Sequence, residues 1–290
     1  MNRLAILLCF CLPGMVWAQQ EPLYNLFWNN YSVYNPAASG LFHKHHVHLN
    51  GRLTDWGRYR EQKLVNAGYD YRIDGLNSGI GINYSFNEVG FAQTQKLGIN
   101  YAYQVKLKGD RIISAGVAGF YQVRVADWSA ATFGDLYADP AAGLDMASNA
   151  FDMNLGVFYK GKHLWGGVSV TQLLESELSY YQNRRHLIAN LTYDFKLGAN
   201  WQIQPTAYLI TTIDPWLHDY HFNVRTIFRK TYWIGATYRY DTAVAGMAGI
   251  EIKQKFRLNY AIDYVYNKDH HGSRVSQEIG LALMLKKKSS

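Results

Sequence analysis

The fold class legible in the sequence is all-β: a transmembrane antiparallel β-barrel of about 14 strands, preceded by a signal peptide and a short N-terminal segment. Three observations predict it. Apolar and polar side chains alternate with period two over stretches of 10 to 12 residues. The connections between those stretches sort into short and long by parity. The composition is rich in rings and glycine, with 23 Tyr, 13 Phe, 8 Trp and 25 Gly against 6 Pro, and no segment reaches the roughly 20 apolar residues of a membrane helix.

The leader comes first. Arg3 gives a positive start, Leu4 to Leu12 is an apolar run, and Val16-Trp17-Ala18 ends on a small residue before Gln19-Gln20. That order predicts a secretory signal peptide over 1–18, cleaved after Ala18. Cys9 lies inside the apolar run, where a lipidation cysteine would follow it. Cys9 and Cys11 both leave with the leader, so the mature chain has no thiol. Disulfides, thiolate metal sites and cysteine nucleophiles are thereby excluded.

Next comes a segment over 19–43 that composition alone does not explain. Tyr24, Phe27, Trp28, Tyr31 and Tyr34 stand among Asn25, Asn29, Asn30 and Asn35, followed by Pro36 and Gly40. Free in water, so many rings would be a liability. The segment is expected to pack inside the barrel or under its periplasmic rim. Tyr24, Phe27, Trp28, Asn35, Pro36 and Gly40 are its candidate packing or partner residues.

The barrel itself is expected over 44–290. Leu97, Ile99, Tyr101, Tyr103, Val105 and Leu107 share one strand face, and Gly98, Asn100, Ala102 and Gln104 share the other. Phe256, Leu258, Tyr260, Ile262 and Tyr264 oppose Arg257, Asn259, Ala261 and Asp263 in the same way. Soluble strands usually run about 5 or 6 residues, whereas a tilted strand needs about 9–11 to cross a bilayer. The strands are placed at 44–53, 61–72, 78–87, 94–107, 111–125, 151–160, 162–171, 184–197, 200–212, 219–229, 231–241, 243–253, 255–266 and 274–285. Turns at Gly75, Lys108-Gly109-Asp110, Gly161, Gly198-Ala199, Lys230 and Gln254 are short and are assigned to the periplasm. The connections at 54–60, 126–150, 172–183, 213–218 and 267–273 are longer and are assigned outside, with the short link at 240–244 as an exception.

Several motifs carry chemistry on paper. His43, His45, His46 and His48 are the densest metal-capable set, and His46 and His48 share a strand face. No acidic or cysteine partner lies near them in sequence, so no metal site is assigned. Ser85, Ser169 and Ser179, with His163, His186 and His221, supply hydrolase side chains but no Gly-x-Ser-x-Gly elbow. Asp127, Asp135, Asp139 and Asp145 fall in the longest loop without the spacing of a calcium-binding hand. Neither a phosphate loop nor a dinucleotide fingerprint is present. The formal charge of +7 falls by one when Arg3 leaves. For an exported chain that charge fits lipopolysaccharide phosphates or an acidic protein surface, and nucleic acid is excluded as a partner.

Gln19-Gln20-Glu21-Pro22, the aromatic stretch Tyr24 to Trp28, and Tyr34-Asn35-Pro36-Ala37-Ala38-Ser39-Gly40 together resemble the start of the PorP/SprF family of Bacteroidetes outer-membrane proteins. The likeness continues in Gly79-Ile80-Gly81-Ile82, Asn87-Glu88-Val89-Gly90, Tyr101-Ala102-Tyr103 and Gln277-Glu278-Ile279-Gly280-Leu281. Glu21 stands where the family usually has Asp. The chain ends Leu285-Lys286-Lys287-Lys288-Ser289-Ser290, whereas many barrels end on an aromatic residue.

The resemblance implies a non-enzymatic outer-membrane protein of the type IX secretion system, without cofactor. It would assist export or surface anchoring of secreted proteins such as gliding adhesins. Its partners would be other secretion-system envelope proteins, the C-terminal domain of a secreted surface protein, and outer-membrane lipid. A porin-like channel for small solutes is the alternative, and a barrel enzyme the third reading.

Overall fold

The computed structural model describes residues 24–54, 61–126, 146–178, 181–213, 217–267 and 274–285. The leader, Ser179 and the four aspartates of the longest loop lie outside these residues.

The strands are β1 (His45–Thr54), β2 (Gln62–Ile73), β3 (Ser78–Val89), β4 (Ala92–Leu107), β5 (Arg111–Ala126), β6 (Met146–Lys160), β7 (Leu164–Thr171), the two-residue β8 (Glu177–Leu178) and β9 (Tyr181–Gln182), and β10 (His186–Tyr193). They continue with β11 (Phe195–Leu197), β12 (Trp201–Thr212), β13 (Leu217–Phe228), β14 (Tyr232–Arg239), β15 (Ala243–Ile252), β16 (Phe256–Val265) and β17 (Val275–Leu285).

All but β8 and β9 form one antiparallel sheet, and β1 pairs with β17 from His45↔Leu285 to Thr54↔Ser276. The sheet therefore closes on itself and leaves no edge, as lipid demands of a backbone that must satisfy its own polar groups. β10 and β11 both pair with β12, at Thr192↔Thr206 and Phe195↔Ile203. They are one stave interrupted at Asp194, so the cylinder has 14 staves.

The interruption has a local cause. Asp194 turns its N–H onto the carbonyl of His163 at 2.7 Å, and its carboxylate accepts from Gln204 at 2.9 Å. The sequence reading had one unbroken strand over 184–197.

A second difference lies between β3 and β4. Their pairing runs out to Val89↔Ala92, so Gly90-Phe91 makes a two-residue turn where a gap of 88–93 was expected. Gly90 adopts φ +57°, which a residue without Cβ takes at no steric cost. This is a second short connection on the rim otherwise occupied by long ones.

The alternation sets which side meets lipid. Leu97, Ile99, Tyr101, Tyr103 and Val105 on β4 are exposed on the outer wall, whereas Gly98, Asn100, Ala102 and Gln104 are buried. On β16, Phe256, Leu258, Tyr260 and Ile262 face out and Asn259, Ala261 and Asp263 face in. The core of this protein is thus a polar lumen inside a greasy shell, the reverse of a soluble sandwich.

Asp263 accepts from Arg52 at 2.8 Å and also from Arg239 and Ser276. Near the long-loop rim, the buried Asp152 holds the β7–β10 connection. It accepts from the backbone N–H of Leu174 at 2.9 Å and of Ser176 at 3.2 Å, and from the Asn183 amide at 3.4 Å.

Candidate functional site

The lumen is lined by the chain's own N-terminal segment. From Tyr24 it passes through short helical turns at Phe27–Asn29, Tyr31–Tyr34 and Pro36–Ala38 before entering β1. Such brief turns bond few of their own backbone groups. The barrel wall supplies the remainder.

Glu278 on β17 accepts the backbone N–H of Asn25 at 2.8 Å and of Leu26 at 3.0 Å. Amides then meet amides down the wall. The Asn29 side chain donates to Asn50 on β1 at 2.9 Å and accepts from Asn259 on β16 at 3.2 Å. Asn30 donates to Asn66 on β2 at 3.1 Å, and Ser32 donates to Asp70 at 2.8 Å. Asn100 on β4 donates to the Ser32 carbonyl at 2.8 Å and to the Ser39 hydroxyl at 3.1 Å. An amide carries both donor and acceptor, so this asparagine-rich stretch can satisfy both kinds of group in a space with little room for water.

Asn35 closes the Tyr31–Tyr34 turn and opens the next. Its side-chain oxygen accepts from the Ala37 N–H at 3.0 Å, an N-cap bond. Its amide nitrogen donates to the carbonyls of Val157 on β6 at 3.0 Å and Val168 on β7 at 3.2 Å. Pro36, at the first helical position, lacks the N–H that would otherwise go unpaired there.

The rings dock on the same wall. Phe27 lies 4.8 Å from Tyr208 on β12, and Trp28 meets Trp233 on β14 edge-on at 5.4 Å. The Arg225 guanidinium lies 4.8 Å from the Trp28 ring and 5.7 Å from that of Trp233, a cation–π arrangement that desolvation strengthens. Tyr24 is buried, and its N–H donates to the Tyr34 hydroxyl at 3.1 Å. Tyr31 stacks on Phe42 at 5.5 Å and meets Phe158 at 5.6 Å.

Glycines make the wall thin where the segment lies. A Cβ on Gly79 would stand 1.9 Å from the Ser39 carbonyl oxygen, one on Gly116 2.4 Å from the Ala37 nitrogen, and one on Gly156 2.2 Å from the Asn35 side-chain oxygen. Gly40 itself takes φ +65° and sits against the backbone of Tyr71 and Arg72. Arg72 donates to the carbonyls of Gly40, at 2.6 Å, and Leu41. The close approach of these wall glycines to the segment depends on strand register, which the sequence alone does not give.

Tyr24, Phe27, Trp28, Asn35, Pro36 and Gly40 are therefore all on the lumenal segment, each buried. The wall partners of the segment as a whole, Glu278, Asn50, Asn66, Asn259, Tyr208, Trp233 and Arg225, are the residues that the sequence alone does not single out. Their signal was present as polar or aromatic side chains on otherwise small inward faces.

The other candidates resolve differently. Ser169 donates to the Tyr34 carbonyl at 2.7 Å, and Ser85 receives the Asn66 amide at 2.9 Å, so both serve the lumen packing. His163 sits beside the Asp194 interruption, its Nδ1 3.2 Å from that carbonyl. His186 is buried on β10, and His221 on β13 lies 2.8 Å from Asp219. His45 points outward to Tyr69 at 2.8 Å. The inward histidines His46 and His48 do gain an acidic neighbour, Asp70, because β1 and β2 register His46 opposite it. Sequence distance had hidden that partner.

Comparison with known proteins agrees with this architecture. Residues 16–283 match the family described as type IX secretion system membrane protein PorP/SprF. No curated protein matches the chain. Among solved structures, the Ralstonia pickettii toluene transporter TbuX is similar at 12% identity and TM-score 0.56, over 87% of this chain and 92% of that one. The CymD monoaromatic hydrocarbon channel is similar at 10% identity and TM-score 0.57, over 88% and 92%. The P. putida toluene transporter TodX follows at 9% identity and TM-score 0.53, over 89% and 94%. At such identities the likeness is one of fold: a closed outer-membrane barrel.

Proposed function

The chain belongs to the PorP/SprF family of type IX secretion system membrane proteins, and from that premise we propose that it is an outer-membrane adaptor that assists export or surface anchoring of secreted proteins such as adhesins. The family is one of secretion-system membrane barrels and not a known enzyme family. In this reading the barrel binds and positions, and catalyses nothing. Its partners are other envelope components of the secretion system and the C-terminal domain of a secreted surface protein.

The observation that carries the reading is the lumenal segment. Its contacts reach β1, β2, β4, β6, β7, β12, β14, β16 and β17. Two cavities beside it hold about 100 and about 50 Å³, far below the roughly 300–1,000 Å³ of a small-molecule site, and the larger hollow of about 580 Å³ is lined mostly by outward side chains such as Val168, Leu191 and Phe222. A cylinder filled in this way offers rims and loops to partners more readily than a passage to solutes. The toluene transporters share its fold, which keeps a small-solute channel as the competing reading.

Affinity purification from the native outer membrane tests the proposal. Co-purification of a secretion component or a secreted C-terminal domain is the expected result. Steady conductance of the wild-type barrel in planar bilayers, with no such partner recovered, would favour the channel.

A further inference from the structure

At the end of the lumen where β1 begins, three inward side chains converge, of which only Asp70 bonds the segment, through Ser32. His46 and His48 stand two residues apart on β1 and both point inward. Asp70 faces His46 across the β1–β2 pairing. One ligand atom from each lies within 4.8 Å of the others, and His46 Nδ1 is 3.5 Å from Asp70 Oδ2. The His46 and His48 rings are 5.3 Å apart, and the His43 ring lies 5.4 Å from that of His46.

The surroundings fit a ligand set better than a packing set. His48 is 1% exposed, and the Asn66 side chain is near enough to interact with its ring, but neither ring nitrogen meets a partner at full hydrogen-bonding geometry. His46 Nε2 and Asp70 Oδ1 are in the same condition. Burying polar atoms without partners costs on the order of 1–3 kcal/mol each. One nitrogen of each imidazole and one carboxylate oxygen can share a single partner, which serves up to three of these four atoms. A divalent ion supplies one, accepting lone pairs from neutral imidazoles and a carboxylate.

The site also has a built frame. Gly68 is what admits the His48 ring, since a Cβ there would fall 2.5 Å from the ring carbon Cε1. The Ser32 hydroxyl holds Asp70 Oδ2 at 2.8 Å, the kind of outer contact that orients a metal-binding carboxylate. The cavity of about 100 Å³ beside His43, His46 and Asp70 leaves room for a water ligand. The two arginines on its far side are engaged elsewhere, Arg225 with Gln204 and Arg257 with Glu251 at 2.8 Å.

We propose that His46, His48 and Asp70 form a binding site for a divalent transition-metal ion of the Zn²⁺ type. Ligand bonds of about 2.0–2.2 Å draw the three groups together by roughly an ångström, within reach of side-chain rotation. Because Asp70 is tied to Ser32, a bound ion fastens the lumenal segment to β1 and β2.

The test uses the full barrel, folded in detergent with a non-histidine affinity tag and stripped with chelator. After equilibration with Zn²⁺ and dialysis into metal-free buffer, metal is counted by mass spectrometry. Affinity is read by competition with a chromophoric chelator. About one Zn²⁺ per chain is expected, with binding weakened by more than about tenfold in His48→Gln and Asp70→Asn and unchanged in His163→Gln. Zn²⁺ is also expected to slow hydrogen exchange in residues 24–44 of the wild type. Should either variant fail to give the heat-modifiable band of a folded barrel, Co²⁺ loading of the wild type decides, visible d–d bands being the expected result. No retained Zn²⁺ in the folded wild type, equal retention in a folded His48→Gln, or a colourless Co²⁺ sample would overturn the proposal.

Discussion

Glu278 Oε1 accepts the backbone N–H of Leu26 at 3.0 Å, joining the last barrel strand to a residue 252 positions earlier. Its other oxygen takes the N–H of Asn25 at 2.8 Å. One carboxylate thus serves two neighbouring donors at the upper end of the lumenal segment. Glu278→Ala leaves both buried and unpaired, at about 1–3 kcal/mol each. Amides of residues 24–29 are expected to exchange at least tenfold faster, while those of β3 and β4 keep their protection. Unchanged exchange at 24–29 would show that this carboxylate does not hold the segment.

Gly79 tests the thin wall. With the Ser39 carbonyl 1.9 Å from where a Cβ would be, Gly79→Ala must displace the segment or the strand, at about 1–3 kcal/mol for such overpacking. Gly246, with nothing within 4 Å of its Cβ position, is the control. Limited proteolysis of detergent-folded barrels is expected to cut the segment faster in Gly79→Ala and at the wild-type rate in Gly246→Ala.

Asn35 combines a cap with two wall bonds. Asn35→Ala removes all three and leaves the Ala37 N–H without its acceptor. A loss of about 1–2 kcal/mol is expected from the cap alone. It is read as a lower urea midpoint for the segment, followed by the fluorescence of Trp28 in a barrel whose other tryptophans are replaced by Phe. A midpoint equal to that of the parent would refute this role.

The outer wall predicts its own depth profile. Ile99 lies midway along β4 and Leu107 at its C-terminal end, both on the outer wall. Ile99→Arg is expected to cost about 2–4 kcal/mol and Leu107→Arg about 0–1 kcal/mol, measured by reversible unfolding in lipid vesicles. Equal costs would mean that Ile99 does not face the bilayer interior.

The staves were legible in the sequence because lipid and lumen impose opposite chemistry on neighbouring residues. Ile99 and Asn100 cannot trade places, so the period of two survives in every long strand. The interruption at Asp194 was not legible, since it depends on the His163 carbonyl in the β6–β7 turn and on Gln204 of β12. The segment over 24–43 stood out by composition, yet its partners did not. Glu278 and Asn259 look like ordinary inward polar residues until closure brings β16 and β17 beside β1. Asp70 was overlooked beside His46 for the same reason: 24 residues separate them along the chain, and only the β1–β2 register makes them neighbours.

The pairing of β1 with β17 has a consequence for how the protein is made. The residues that fill the interior are translated well before Glu278, which secures them and stands 253 positions after Asn25. Contacts of such long sequence separation form slowly. Until the final hairpin zips onto the first strand, Phe27 and Trp28 have no enclosed place to rest. Closing the seam and filling the interior thus become one event.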